Sequence, residues 1–330
     1  MPGFFLRGLQ LSKQLLAFLV IFISFISFSV HYNRHTAKQQ SQIICNMVFE
    51  RIYQVTPQVK KWYRSCLQLQ IKKSSPEYIS QKLNQNFQSL NFSHLYIMNP
   101  EQSKWAWQGI KKEESGKWVE VDEAPRVIKL KNNQTVLKIP SFRGEYFTSK
   151  KWLQVVQKLK STDRLYIDLR DNLGGNFVAM LRVLSSFFCK PTYIGKLINS
   201  NSGEGESVLT NKLDERVHSI PMADKEAVIL KTFEGYGCLK PELHILVNRD
   251  TGSTSEILAD SLQGLLNAKV YGPGTRGGVV LGMNYGIEFW PDGYSLSIPE
   301  ALYINFQGQA LEGVGLLMDQ IEYPIDVSLL

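Results

Sequence analysis

The chain has 330 residues, 44% of them hydrophobic and 20% charged, a balance that excludes a disordered or collagen-like polymer and fits one large domain or two modest ones. Its formal net charge of +7 is mild and spread along the chain. No block of basic residues is interleaved with aromatics, which argues against nucleic acid as a partner.

Arg7 and Lys13 precede "LLAFLVIFISFISFSV", an apolar or small run of 16 residues from Leu15 to Val30. That length suits the core of a signal peptide better than a membrane span, which needs about 20 residues. Ser27 and Ser29 are small enough for cleavage after Ser29, although the Ala-x-Ala pattern is missing, and a retained anchor is the competing expectation. Residues 1–30 are therefore read as signal peptide or signal anchor. The rest is expected to be exported, periplasmic or extracellular, with membrane anchoring through this segment left open. Cys45, Cys66, Cys189 and Cys238 suit an oxidising compartment and allow two disulfides in three connectivities. Pairing by region joins Cys45 to Cys66 and Cys189 to Cys238, four buried free thiols being the other reading. No spacing resembles a zinc site.

Residues 31–90 read as a helical region. "IICNMVFERIYQVTPQVKKWYRSCLQLQIKK" carries apolar residues at three- and four-residue intervals, interrupted at Pro57, and "SPEYISQKLNQNFQSL" opens on Ser75 with Pro76 at the first helical position. From residue 91 the texture turns to short β-rich runs, "SHLYIM", "KWVEVD" and "TVLKIPSF". A strand–helix alternation follows. The helix "SKKWLQVVQKLK" leads to the strand "RLYIDLR", the turn "DNLGGN" and the helix "FVAMLRVLSSFF". Later the strand "ELHILVN", the turn "RDTGST", the helix "SEILADSLQGLLNA" and the strand "KVYG" repeat the order. This predicts an α/β core over residues 91–330 with a mainly parallel sheet. Residues 191–240 read as an irregular connection, long enough to be a lid or binding loop.

Ser253 opens a predicted helix after a glycine-containing turn. Ser253-x-x-Glu256 is a capping box, and a serine there can do no more than satisfy backbone donors. The same position would expose a nucleophile and aim helical N–H groups at an oxyanion. In "DLRDNLGGN", residues 168–176, two glycines let backbone approach a substrate closely; a plain turn and a structural Asp168–Arg170 ion pair are the bland alternative.

Together these segments carry a resemblance. "YIDLRDNLGGNF" resembles the Asp-Leu-Arg-x-Asn-x-Gly-Gly segment of the C-terminal processing peptidases and their tricorn-like relatives. "LVNRDTGSTSEILADSLQ" is similar to that family's Val-Asn segment followed by Ser-Ala-Ser-Glu, "VYGPGTRGG" to its Gly-Glu-x-Thr-x-Gly stretch, and "LEGVGLLMD" to its Glu-Gly-x-Gly-Val-x-Pro-Asp ending. The resemblance runs over residues 90–325 and implies a crotonase- or ClpP-like β/α core that cuts peptides through an acyl-enzyme on Ser253, without metal or cofactor. The substrate it implies is a peptide or protein.

Two departures matter. The tail-processing branch has a lysine base 25 residues after the serine and an aspartate 11 residues after it; here those positions are Gly278 and Gly264. The tricorn-like branch, with Ser, His and Glu, is the better match. His31 and His35 flank the apolar run, His218 lies in the expected lid, and His244 sits mid-strand in "LHILV". That leaves His94, preceded by Ser93, as the general base, a half-buried strand histidine being its bland reading. Glu312 in "QALEGVGL" is the orienting carboxylate the resemblance implies. Gly174 or Gly175, with Thr254, would supply oxyanion N–H groups. About 40 residues separate His94 from "VLKIPSF", too few for the PDZ module of many relatives. The alternatives are a catalytically inactive member that binds peptides or hydrophobic ligands, and a membrane-anchored interaction protein.

Overall fold

The computed structural model describes residues 35–326, apart from 109, 113–114, 121–123, 131–133, 201–205 and 209–226. The apolar run from Leu15 to Val30 and His218 therefore lie outside the described residues. Among those described, no helix is long and apolar enough to cross a membrane.

Three helices come first: α1 (Ala37–Arg51), α2 (Pro57–Leu67) and α3 (Pro76–Phe87). Each starts on a hydroxyl residue in extended conformation, Thr36, Thr56 or Ser75, whose side chain accepts from the N–H three residues on. That bond satisfies one of the four donors a helix start leaves orphaned. Ile44, Val48, Val59, Trp62, Ile79 and Leu83 point into one core with Leu296 and Ile298. A Cys45–Cys66 disulfide staples α1 to α2, and a second joins Cys189 to Cys238, the regional pairing.

The strands β1 (Tyr96–Met98), β7 (Tyr193–Ile198), β8 (Glu206–Val208), β9 (Ala227–Lys231), β12 (Val280–Gly286) and β13 (Ser295–Asn305) form a sheet in the order β1-β13-β7-β9-β8, with β12 also on β13. Its pairings are antiparallel except β8–β9. The second sheet, β11-β10-β6-β5-β4, is the expected parallel one, with only β4 reversed. It uses β4 (Arg126–Lys129), β5 (Gln134–Lys138), β6 (Arg164–Asp168), β10 (Glu242–Leu246) and β11 (Lys269–Tyr271), while β2 (Ile110–Lys112) and β3 (Trp118–Glu120) form a separate antiparallel pair. Period-two alternation sorts its side chains: Leu165, Ile167, Leu243 and Ile245 enter the main core, while Tyr166 and Leu246 face the opposite layer. Helices α5 (Ser149–Leu159), α6 (Phe177–Ser185) and α7 (Thr254–Leu266) pack into the main core with β7 and β13. The α/β class expected from the alternation is the one found.

Two expectations need correction. Residues 191–240 are not an irregular connection throughout, because β7 and β9 are sheet strands with Ile194, Leu197, Val228 and Leu230 in the main core. The β-rich reading after residue 91 also overlooked α4 (Pro100–Gln108). Its start is written in the sequence: Asn99 and Gln102 exchange side-chain-to-backbone hydrogen bonds at 2.9 and 3.0 Å, with Pro100 between.

The long strand β13 links the two halves of the molecule. Leu296 and Ile298 lie in the helical core, and Ala301 and Tyr303 in the main one. Its register against β12 shifts between Leu281 and Gly282, where Gly282 pairs with Pro299. Proline donates no ladder bond, and a bulge accommodates it.

Candidate active site

The turn between β10 and α7 is tied to the end of β6. Thr251 Oγ1 donates to Leu169 O at 2.8 Å, Asn248 Oδ1 accepts from Asp171 N at 2.9 Å, and Gly252 N donates to Asn172 O at 2.9 Å. Ser253 follows with φ 57° and ψ −126°, unlike the extended caps Thr36, Thr56 and Ser75, although its N–H donates to Glu256 as in a capping box. A non-glycine residue there costs about 1–3 kcal/mol of backbone strain. An ordinary cap needs no such strain, so the bland reading of Ser253 loses ground.

The fully buried Glu256 braces this turn. Its Oε2 accepts from both Ser253 N and Gly278 N at 3.0 Å, and its Oε1 from Gly277 N at 2.7 Å. Burial pushes its carboxyl up, and the hydrogen bonds from Thr275, Gly277, Gly278 and Ser253 oppose that shift. One carboxylate thereby clamps the serine loop to residues 277–278.

The Gly-Gly loop lies directly on the serine. A Cβ placed on Gly174, whose φ is +99°, would stand 2.6 Å from Ser253 Cβ. Asn172 holds the loop: its Oδ1 accepts from Gly174 N and its Nδ2 donates to Ile139 O, both at 2.8 Å. The Gly174 N–H is thus already used, which leaves Gly175 as the candidate donor of the pair. Thr254 N is the first helical amide of α7 and has no acceptor within its own helix.

His94 sits just before β1 with φ 59°, half-buried, across the bulged edge of β12. A Cβ on Gly282 would stand 2.8 Å from His94 Cδ2, and one on Gly278 3.8 Å from its Cε1. The position where the tail-processing branch would carry lysine therefore faces the imidazole, and glycine leaves space for the ring. His94 Nδ1 meets Ser93 Oγ at 2.9 Å, and that hydroxyl donates to Glu312 Oε2 at 3.0 Å. Glu312 also accepts from Ser93 N at 3.0 Å and Val279 N at 2.6 Å. The carboxylate thus reaches the ring through Ser93 instead of touching it. Because the Ser93 proton goes to Glu312, Nδ1 must carry hydrogen, and Nε2 is left with its lone pair.

Burial lowers the His94 pKa to about 4, and the Arg276 charge adds to the shift. Tyr53, which meets Phe92 edge-on at 5.3 Å, is raised to about 12, first by burial and then by the Glu312 charge. The helical region thereby reaches the carboxylate end of the relay.

Of the residues singled out from sequence, His94 and Glu312 converge on Ser93. Ser253, Gly174, Gly175 and Thr254 converge on the neighbouring loop. No hydrogen bond joins Ser253 Oγ to the ring among the described residues, and such contacts are commonly long before substrate binds. Sequence reasoning missed the bridging role of Ser93, the loop-holding role of Asn172 and the clamp made by Glu256. Ser93 carried one signal, its place next to His94. His244 is a packed residue, its ring against Tyr166 and Tyr271, with Nδ1 3.1 Å from Tyr271 Oη. Asp168 and Arg170 form an ion pair at 2.8 Å. Among the described residues no cluster of His, Cys, Asp or Glu is arranged to hold a metal ion.

Residues 133–321, more than half the chain and all of the serine and Gly-Gly loops, match the model of peptidase family S41. The chain belongs to that family. It is a serine-type peptidase with the α/β core of S41 enzymes. No curated protein matches its sequence. In three dimensions it is similar to a lipoprotein from Streptococcus agalactiae, at 15% identity and a TM-score of 0.59 over 87% of this chain and 92% of that one. The photosystem II D1 C-terminal processing protease is similar at 12% identity, with a TM-score of 0.52 over 87% of this chain and 94% of that one. The tricorn protease matches at 13% identity and a TM-score of 0.51 over 87% of this chain, but only 34% of its own. At such identities the likeness concerns the fold.

Proposed function

We propose that this S41 peptidase is an exported endopeptidase that processes peptide or protein substrates through an acyl-enzyme on Ser253. His94 Nε2 removes the Ser253 proton as Oγ attacks the scissile carbonyl. The resulting imidazolium is stabilised through Nδ1–H, Ser93 and Glu312, and the histidine returns the proton to the leaving amine. The developing oxyanion is met by the backbone N–H groups of Gly175 and Thr254, at the positive end of α7. Water then enters by the same base and releases the acyl product.

The observation that supports this reading is the relay from Glu312 through Ser93 to His94 Nδ1, which leaves the Nε2 lone pair for a base, next to Gly278, which the Glu256 carboxylate ties to Ser253 N. The backbone strain at Ser253 is of the kind that concentrates at functional positions. An inactive, ligand-holding member would need neither the relay nor the strain. Export is supported by the two disulfides and the apolar N-terminal run, and the mass of the mature chain distinguishes cleavage after Ser29 from a retained anchor.

The test is reaction with a fluorophosphonate probe, read by intact mass and peptide mapping. Wild-type protein should take one adduct at Ser253, while Ser253→Ala takes none and His94→Ala reacts far more slowly. A folded wild-type protein that takes no adduct would leave the ligand-binding reading in possession.

A further inference from the structure

Arg276 lies against the turn that leads into Ser253. Its N–H donates to Thr251 O at 2.9 Å, and its stem lies on Gly252, where a Cβ would come within 3.2 Å of Arg276 Cδ. Glycine at 252 makes the room that lets this side chain cross the residue immediately before the serine. Arg276 is exposed, and among the described residues no carboxylate lies within 4.0 Å of it. In the chain Arg276 directly precedes Gly277 and Gly278, whose N–H groups Glu256 holds together with that of Ser253.

A cation here works against the chemistry. Its field reaches His94 and Tyr96 and disfavours the imidazolium that forms when Ser253 gives up its proton. A site that must stabilise a protonated histidine gains nothing from a bare positive charge beside it. A substrate that brings the missing negative charge removes that penalty and gains a charge-assisted, two-pronged contact.

We propose that Arg276 is a specificity residue that seats a carboxylate of the peptide substrate next to the scissile bond, so that the substrate itself completes the electrostatics of the active site. This rests on the peptidase reading above. The carboxylate can belong to an Asp or Glu side chain or to the peptide's C-terminal group. Because the seated carboxylate offsets the charge next to His94, the preference appears in kcat as well as in KM, unlike a contact that only holds substrate.

The experiment uses the full chain and a synthetic set of quenched fluorescent peptides. Each sequence is made with Glu or Gln at every position within four residues of its centre, and each with a free or an amidated C terminus. Cleavage sites are mapped by mass, and every enzyme variant is also scored for fluorophosphonate labelling of Ser253. Wild-type protein should cut one class of carboxylate-bearing peptide roughly tenfold faster than its neutral partner, the scale of one charge-assisted contact. In Arg276→Gln the preference should vanish while neutral peptides are cut faster than by wild type, and Arg276→Glu should favour lysine in place of glutamate. Dependence on the side chain or on the free C terminus tells the two carboxylate sources apart. Intact labelling with no cleavage, with rates blind to the Glu-to-Gln and amide changes, or with a preference that survives in Arg276→Gln overturns the role of Arg276 alone. Loss of labelling in the wild type removes the peptidase mechanism itself, and the proposal with it.

Discussion

The His94 imidazole lies across Gly282: a Cβ built on that glycine would stand 2.8 Å from His94 Cδ2 and 2.9 Å from His94 Cβ. Backbone and ring cannot both hold their places if residue 282 gains a side chain. Gly282→Ala should therefore displace the ring and slow labelling of Ser253 by about a hundredfold, the cost of an ångström-scale misplacement. Far-UV circular dichroism should stay unchanged. A labelling rate within twofold of wild type would show that the ring position is not what the mechanism needs.

Ser93 bridges the ring and the carboxylate, so its hydroxyl sets the tautomer of His94. Ser93→Ala leaves the Glu312 bonds to the Ser93 and Val279 amides in place but cuts the path to Nδ1. The expected result is a loss in kcat of roughly a hundredfold or more with KM little changed, and partial recovery in Ser93→Thr. Equal losses in both variants would mean that Ser93 matters for packing only.

The pH profile follows from the lowered His94 pKa. Neutral imidazole is the base, so activity should rise through about pH 4 and stay flat across the ordinary histidine range. The stability effect has a definite sign. Between about pH 4 and 6.5 the unfolded chain binds a proton that the folded site does not, so stability drops as pH falls through that window. Arg276→Gln removes the second cause of the shift and should move the acid limb upward. An acid limb at 6.5 in the wild type would contradict the desolvation of the ring.

Gly174 is pressed against Ser253. A methyl group there meets Ser253 Cβ at 2.6 Å and Gly252 O at 2.9 Å, in a backbone conformation of φ +99° that favours glycine. Gly174→Ala should abolish labelling and destabilise the fold by about 1–3 kcal/mol, seen as a lower urea midpoint at unchanged slope. Wild-type labelling in this variant would dissociate the Gly-Gly loop from the nucleophile.

The Cys45–Cys66 bridge closes a separation of 21 residues between α1 and α2, which together with α3 cover one face of β13. Loop-closure entropy predicts a stabilisation of about 3 kcal/mol for a bridge of this size. A Cys45→Ser, Cys66→Ser double variant should melt several degrees lower than wild type under oxidising conditions and match it under reduction of that bridge alone. An unchanged melting temperature would mean that the packing of Trp62 and Ile79 suffices.

Much of this architecture was legible along the chain because it is local. Hydroxyl residues before helical runs, the alternation in "RLYIDLR" and the glycines of "DNLGGN" act over a few residues, where side-chain period and cap chemistry settle the outcome. The parallel sheet followed from strand–helix order, and the type and order of the S41 segments pointed to Ser253. The antiparallel half was less visible. Strands β7 and β9 pair across an intervening stretch of weak pattern, and β13 changes core midway, so neither shows one clean periodicity. What no local pattern could decide is the meeting of residues 93, 94, 278, 282 and 312. Only the bulged β12–β13 pairing and the Glu256 clamp bring them together, and that depends on long-range packing. Sequence by itself determined which residue types were available for acid–base chemistry. The tertiary structure decided that a serine hydroxyl stands between histidine and glutamate, and that the charge of Arg276 reaches the histidine, because hydrogen bonds and Coulomb fields depend on separation in space and not on separation along the chain.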